Sequence, residues 1–346
     1  MPKIPLITAL LAAFLFGAAT PASKALMADI PPFQLAGLLY IGAALGIIPL
    51  IFKEQSFLNP CRLDKKNLFR LIGSIIFGGI LGPVFLLFGL RFASSVSISM
   101  WLNLELVATA LLGYFIFRDH LTPYGWLSTA GMLIAAALLT NAEGISGITA
   151  GILVAIACFC WGLDNHLTVL INGMPPSQIT FWKGIMAGII NFSIGAFMSS
   201  MEMTFTLFGI AIIVGVFSYG ISVVLYIMSS QKLGTTRGQI IFSTAPFFGV
   251  VLSTTLLGES VADTQIWAGL IIMSSLVFLF LEKHEHEHIH CAITHDHWHK
   301  HDDGHHAHIL PDVPHGLWHS HLHEHEEISH SHKHLPDLDH RHKHNK

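Results

Sequence analysis

Trp101-Leu-Asn-Leu-Glu-Leu-Val-Ala-Thr-Ala-Leu-Leu-Gly-Tyr-Phe-Ile-Phe117 is an apolar run with Asn103 and Glu105 near its middle. Continued back to residue 95, it is long enough as a helix to cross a hydrocarbon layer about 30 Å thick. A carboxylate inside such a span costs roughly 2.5–3.5 kcal/mol on insertion scales, so Glu105 is expected to face protein or a water-filled cavity rather than lipid. Asn103 and Glu105 lie two residues apart and do not share a helix face, so one can point to a cavity while the other bonds a neighbouring helix. The competing reading of each is a buried polar group hydrogen-bonded for packing.

Composition extends this reading to the whole chain. Its 346 residues are 52% hydrophobic and 12% charged, with mean hydropathy +0.59, far too apolar for a soluble protein of this length. The formal net charge of −4 hides a division into two regions. Residues 1 to 282 contain only two histidines, His120 and His166; all the other histidines lie in 283 to 346. The body reads as an integral membrane protein, all-α, and the tail as a polar, disordered cytoplasmic extension. Ile4 to Ala19 resembles a signal peptide in length, but apolar spans keep following it, so it reads as an uncleaved first span. Cys61, Cys158, Cys160 and Cys291 show no framework spacing, and Cys158 and Cys160 point about 200° apart on a helix, as packing residues do.

Apolar runs of spanning length recur about ten times: 4–22, 33–52, 69–90, 95–117, 123–141, 148–171, 177–199, 206–229, 238–257 and 263–281. With the N-terminus inside, the inner loops collect Lys3, Lys53, Arg62, Lys65, Lys66, Arg70, Arg118, Lys232, Arg237 and Lys283. The outer side holds Lys24 and Arg91. This excess predicts a multi-pass protein of the cytoplasmic (inner) membrane with both termini in the cytoplasm.

The body also repeats. Pro31-Pro32-Phe33-Gln34 opens the second span and Pro175-Pro176-Ser177-Gln178 the seventh, 144 residues later; Phe16-Gly17 answers Trp161-Gly162 at 145. Arg91-Phe-Ala-Ser-Ser95 matches Lys232-Leu-Gly-Thr-Thr236, and Trp126 matches Trp267, both at 141. Near-equal offsets in the same order indicate a duplication of five spans. An odd number of spans inserts the second copy upside down, the inverted repeat on which many secondary transporters are built, with the substrate site near the midplane between the halves. The expected units are residues 1–141, 148–282 and the tail 283–346.

Asn103-Leu-Glu105, Thr109-Ala-Leu-Leu-Gly113, Arg118-Asp119 and Leu256-Leu-Gly-Glu259, in a five-plus-five arrangement, resemble the EamA-type drug/metabolite transporter family. The resemblance covers residues 1 to 282 and implies one EamA domain per half. Its members typically export amino acids, metabolites or drugs, with nucleotide sugars moved in related branches. Trp161-Gly-Leu-Asp-Asn165 and the histidine tail resemble one bacterial branch of it. This chain departs from the commoner pattern in placing Glu105 where Pro246 stands in the second copy.

The candidate substrate or proton residues are Glu105, Asn103, Asp164, Asn165, Lys183 and Trp161. Asp164 is a second intramembrane acid, with Trp161 on its face at i−3; Lys183 is placed either to neutralise Asp164 or to snorkel inward. His166 reads as a hydrogen-bonded packing residue, Lys24 and Arg91 as interfacial anchors, and Glu259 as a solvated or capping residue. Trp101, Phe181, Trp182 and Tyr219 are candidates to line an apolar cavity.

In the tail, alternating histidines and carboxylates can assemble four-ligand sites for Zn, Ni, Co or Cu; no cofactor is otherwise required. The candidate ligands are His284, His286, His288, His290, His295, His297, His299, His301, His319, His321, His323, His325, His340, His342 and His344. The competing reading is a pH-responsive polar tail.

The expected function is a secondary-active permease exporting a small organic metabolite or drug. Two alternatives stand beside it: a divalent transition-metal transporter with the tail as collector or sensor, and a non-transporting membrane metal sensor or storage protein. No nucleophile–base constellation marks an enzyme. The expected partners are the bilayer and a small-molecule or ion substrate, with a homodimer open and no nucleic acid.

Overall fold

The computed structural model describes residues 3–54, 57–117, 121–171, 174–200, 203–233, 241–281, 285–290, 293–299, 319–325 and 328–333. Helices begin where the sequence supplies caps or prolines. Asp64, Ser94, Thr122 and Thr204 accept backbone N–H bonds as N-caps, and Pro32, Pro123 and Pro176 occupy first turns.

The body is all-helical among the described residues, and eight helices there are long and apolar enough to cross a membrane. These are Ile4–Leu26, Pro32–Ile51, Lys65–Gly89, Ser95–Ile116, Pro123–Ala142, Gly144–Thr168, Pro176–Met198 and Phe205–Ser229. Shorter apolar helices, Ala245–Leu256 and Asp263–Phe278, occupy the ninth and tenth predicted spans, and residues 234–240 lie outside the described set. Large apolar side chains such as Phe115, Ile145, Phe197 and Phe205 stand exposed around the helices. Water would drive such surfaces together, whereas lipid tails solvate them.

The spans are not the continuous helices that the apolar runs suggest. The first is interrupted at Ala18, between Lys3–Gly17 and Ala19–Leu26. The third and eighth widen into π-helix at Ile75–Leu81 and Gly215–Ile221, matching places in the two halves. The fourth breaks between Trp101 and Leu104, and the ninth has its own turn at Ser243 and Thr244 before Ala245. Hydropathy cannot register these breaks, because both the α and the π turn bury the same apolar letters.

The second and seventh spans pack against each other along their length. Gly37 lies against Phe192, Gly188 against Ile41, and Gly184 against the Tyr40 carbonyl, so backbones approach where no Cβ intervenes. The repeated Pro-Pro-x-Gln motif ends in two buried glutamines that fasten both ends of this pair. Gln34 Nε2 donates to the Gly195 and Ser199 carbonyls at the end of the seventh span, at 3.2 and 3.3 Å. Gln178 Oε1 accepts from the Leu58 N–H at 2.8 Å and its Nε2 donates to Glu54 at 2.8 Å, beyond the end of the second.

In the tail, where the sequence predicts disorder, the structure describes four strands: β1 (Glu285–His290), β2 (Ile293–His299), β3 (His319–His325) and β4 (Ile328–Lys333). β1 pairs antiparallel with β4 and β2 with β3. Strict alternation of histidine with another residue has the two-residue period of a strand, which a compositional reading of disorder leaves out. His284, His301, His340, His342 and His344 lie outside the described residues, as do Arg118 and Asp119.

Candidate functional site

The π-helical stretch Ile75–Leu81 lies in the third span, and its glycines form the floor of a polar cluster. Without side chains, Gly78 and Gly79 leave their carbonyls open to neighbouring helices. Gly78 O accepts from the Tyr40 hydroxyl at 2.5 Å and from Trp161 Nε1 at 3.1 Å, while Gly79 O accepts from Asn191 Nδ2 at 3.0 Å. Four spans, the second, third, sixth and seventh, thus meet at two successive peptide groups. A Cβ on Gly78 would run into the Asp164 carboxylate, and one on Gly82 into the Trp161 indole. Gly78→Ala is therefore expected to destabilise the protein by about 1–3 kcal/mol, the usual cost of overpacking. The check is unfolding of the purified protein in detergent against Gly209→Ala, whose Cβ would meet nothing within 4 Å.

Asp164 and Lys183 form a buried ion pair, with Lys183 Nζ donating to the two carboxylate oxygens at 2.8 and 3.1 Å. The Ser74 and Thr168 hydroxyls also donate to Asp164 Oδ1, at 2.5 and 2.9 Å. Of the two placements open to Lys183, the structure has the neutralising one. Asp164 is thereby satisfied in charge and in hydrogen bonding, as a buried carboxylate must be.

Glu105 is held differently. It sits in the first turn of Leu104–Leu112, just past the break in the fourth span, where the helix N-terminus favours negative charge. Its Oε1 accepts from Asn165 Nδ2 at 2.9 Å, and among the described residues no cation lies within ion-pair distance of it. Asn103 is buried at the break; its Nδ2 donates to the Met100 carbonyl at 2.9 Å, and its Oδ1 has no partner among the described residues.

Rings from both halves adjoin this cluster. Tyr40 and Tyr219 have centroids 5.9 Å apart, Phe16 and Tyr219 5.8 Å, and Phe16 and Phe242 5.1 Å. Glu105, Trp161, Lys183 and Tyr219 are half-buried while Asp164 is buried. Glu105, Asn165, Asp164, Lys183 and Trp161 thus gather in one region, with Asn103 at the helix break beside it.

Other sequence candidates fall elsewhere. Trp101 is fully buried and donates to the Ala136 carbonyl at 3.1 Å, a packing role. Phe181 and Trp182 pack on Phe57, and Trp182 Nε1 bonds the Leu58 carbonyl at 3.2 Å, at the start of the seventh span. His166 Nδ1 lies 2.9 Å from the Gly162 carbonyl, the packing arrangement. Glu259 is a cap, accepting from the Ser95 and Val96 N–H groups at 3.0 and 2.9 Å. Sequence reasoning missed Tyr40, Ser74, Thr168 and the Gly78 carbonyl. Thr168 carries a usable signal at i+4 from Asp164, but a backbone carbonyl has no letter in the sequence.

Comparison with known proteins agrees with this architecture. The family model described as "EamA-like transporter family" matches residues 3–141 and 148–281. A protein of Methanothermobacter thermautotrophicus described as an uncharacterized transporter is 23% identical over 296 residues, covering 79% of this chain and 85% of the relative. A solved crystal structure of another protein superposes with a TM-score of 0.58 at 14% identity, covering 81% of this chain and 98% of that one, a likeness of fold alone.

Proposed function

The chain belongs to the EamA-like transporter family, and on that premise we propose that it is a secondary-active permease exporting a small organic metabolite or drug by alternating access. The observation that carries the reading is the contrast between the two acids: Asp164 is paired directly with Lys183, whereas half-buried Glu105 has no cation within ion-pair distance among the described residues. Glu105 then takes a proton or a cationic group of the substrate, and the rings of Tyr40, Tyr219 and Phe16 supply apolar and cation-attracting surface around an organic body. Paired breaks in the fourth and ninth spans supply the discontinuous helices on which midplane sites of secondary transporters are built. In this reading all ten apolar helices span the cytoplasmic membrane as two inverted sets of five, with both termini inside, in accord with the basic inner loops. An untargeted comparison of the medium from cells with and without the protein tests it. At least one small organic compound is expected to accumulate outside the producing cells and not outside cells making Glu105→Gln; identical media would refute export.

The tail is proposed as a metal-binding extension. The strand register supports this, because it sets His286 opposite His332, His288 opposite His330, His295 opposite His323 and His297 opposite His321. Directly opposed positions in an antiparallel pair lie on one face of the ladder, so the register brings the alternating histidines into opposed pairs. Removal of residues 283–346 is expected to abolish stoichiometric Zn²⁺ or Ni²⁺ binding by the purified protein. Unchanged binding by the truncated chain would rule the tail out as the site.

A further inference from the structure

The sequence Ser94-Ser-Val-Ser-Ile-Ser99 opens the fourth span, and none of the chemistry above uses it. Both halves of the molecule hold its first turn. Glu143 accepts from the Ser94 N–H at 3.2 Å, and Glu259, from the second half, caps Ser95 and Val96. Gln265, also from the second half, donates to the Ser97 hydroxyl at 2.8 Å, and the Ser95 hydroxyl bonds that of Ser253 at 2.9 Å. Lys24, in the first span, donates to the Leu90 and Ala93 carbonyls just before the turn. Above this network lies a shallow depression of about 540 Å³, lined by Lys24, Arg91, Ser94, Glu143, Glu259 and Ser260.

Beneath it lie two hydroxyls that lack partners among the described residues. Ser99 Oγ, one turn inward from Ser95, and Ser23 Oγ, in the first span, are fully buried and have no hydrogen-bond partner among the described residues. Ser99 faces Gly249 of the ninth span, itself one turn inward from Ser253. An unpaired buried hydroxyl costs about 1–3 kcal/mol, a penalty that water would relieve. Farther inward on the same three spans come Phe16, Phe242 and Asn103, at the edge of the polar cluster. Small residues on these three spans, Ser23, Ser95, Ser99, Gly249 and Ser253, therefore lie between the outer depression and the level of Phe16, Phe242 and Asn103. Bonds that cross the repeat boundary seal their outer end.

We infer that these residues line the exit path of the permease and that the Glu259–Ser95–Ser253 contact is its outer gate. The inference rests on the transport reading for its purpose. The gate opens as the start of the fourth span leaves Glu259 and Ser253, which hydrates Ser23 and Ser99, while the glutamine-fastened pair of second and seventh spans stays together. Polar groups that are unsatisfied only when the gate is shut keep the closed state from being too deep to leave.

The test reads accessibility and needs no substrate. In intact cells making the full chain, Ser99→Cys is treated from outside with a membrane-impermeant maleimide, with the parent protein as control. Labelling is expected to be slow, to rise at least tenfold when Glu259→Gln is added, and to stay near the slow rate with Glu259→Asp. Oxidising a Ser95→Cys/Ser253→Cys pair is expected to stop the labelling, and reductant to restore it. If Glu259→Gln fails to fold, the oxidation arm decides by itself. Labelling that neither the loss of the carboxylate nor the cross-link changes, or that proceeds only from the cytoplasmic side, overturns the gate. An export screen that finds nothing would count against the transport reading and leave this result standing.

Discussion

Replacing Glu105 with glutamine is expected to lower transport at least a hundredfold while leaving the amount of folded protein in the membrane nearly unchanged. The two halves of that expectation have separate causes. Glutamine keeps the shape of the side chain and retains an oxygen to accept the Asn165 amide bond, so packing at the start of Leu104–Leu112 is preserved. It removes the one feature that the amide cannot supply, a charge that is exchangeable with a proton. A hundredfold loss corresponds to about 2.7 kcal/mol of transition-state stabilisation, within the range found when a charged hydrogen-bonding group loses its partner. The measurement is flux of the exported compound into everted vesicles at several pH values. The pH dependence seen with the native protein is expected to flatten in Glu105→Gln. A variant that transports at the native rate with the native pH profile would assign Glu105 to packing.

The second large effect belongs to stability. Lys183→Met removes the cation beside Asp164 and leaves a buried carboxylate with the Ser74 and Thr168 hydroxyls as its remaining donors. Breaking a buried pair from one side typically costs 3–5 kcal/mol, because the remaining charge keeps its desolvation penalty and loses its compensation. Adding Asp164→Asn to the same chain removes that charge, so the double variant is expected to recover more than half of the loss. Such non-additivity is the signature of a coupled pair and is read from unfolding of the four proteins in one detergent. If Lys183→Met and Asp164→Asn add without coupling, the two side chains do not pair in the protein.

Both predictions begin from residues that hydropathy alone singles out. A charged residue in an apolar run is conspicuous in any reading of a membrane sequence, and Glu105, Asp164 and Lys183 are visible for that reason. What could not be read was their pairing. Lys183 lies nineteen residues beyond Asp164, across the link between the sixth and seventh spans, and its stem is long enough to reach either the acid or the membrane surface. The Pro-Pro-x-Gln repeat gave a similar half-answer. Its recurrence marked a duplication, but not that each glutamine reaches across to fasten the far end of the partner span.

The sequence by itself determined that this is a multi-pass, all-helical membrane body made of two related halves. Those properties depend on sums over many residues, hydropathy over about twenty positions and spacing over about 140, and sums of that kind survive ignorance of any single contact. The tertiary structure decided the break that puts Glu105 at a helix start, the use of Gly78 O as a meeting point, and the lysine that pairs with Asp164 and leaves Glu105 with no cation within ion-pair distance among the described residues. Each of these depends on which helix faces which, and on backbone groups that every residue carries alike, so no letter in the chain records them.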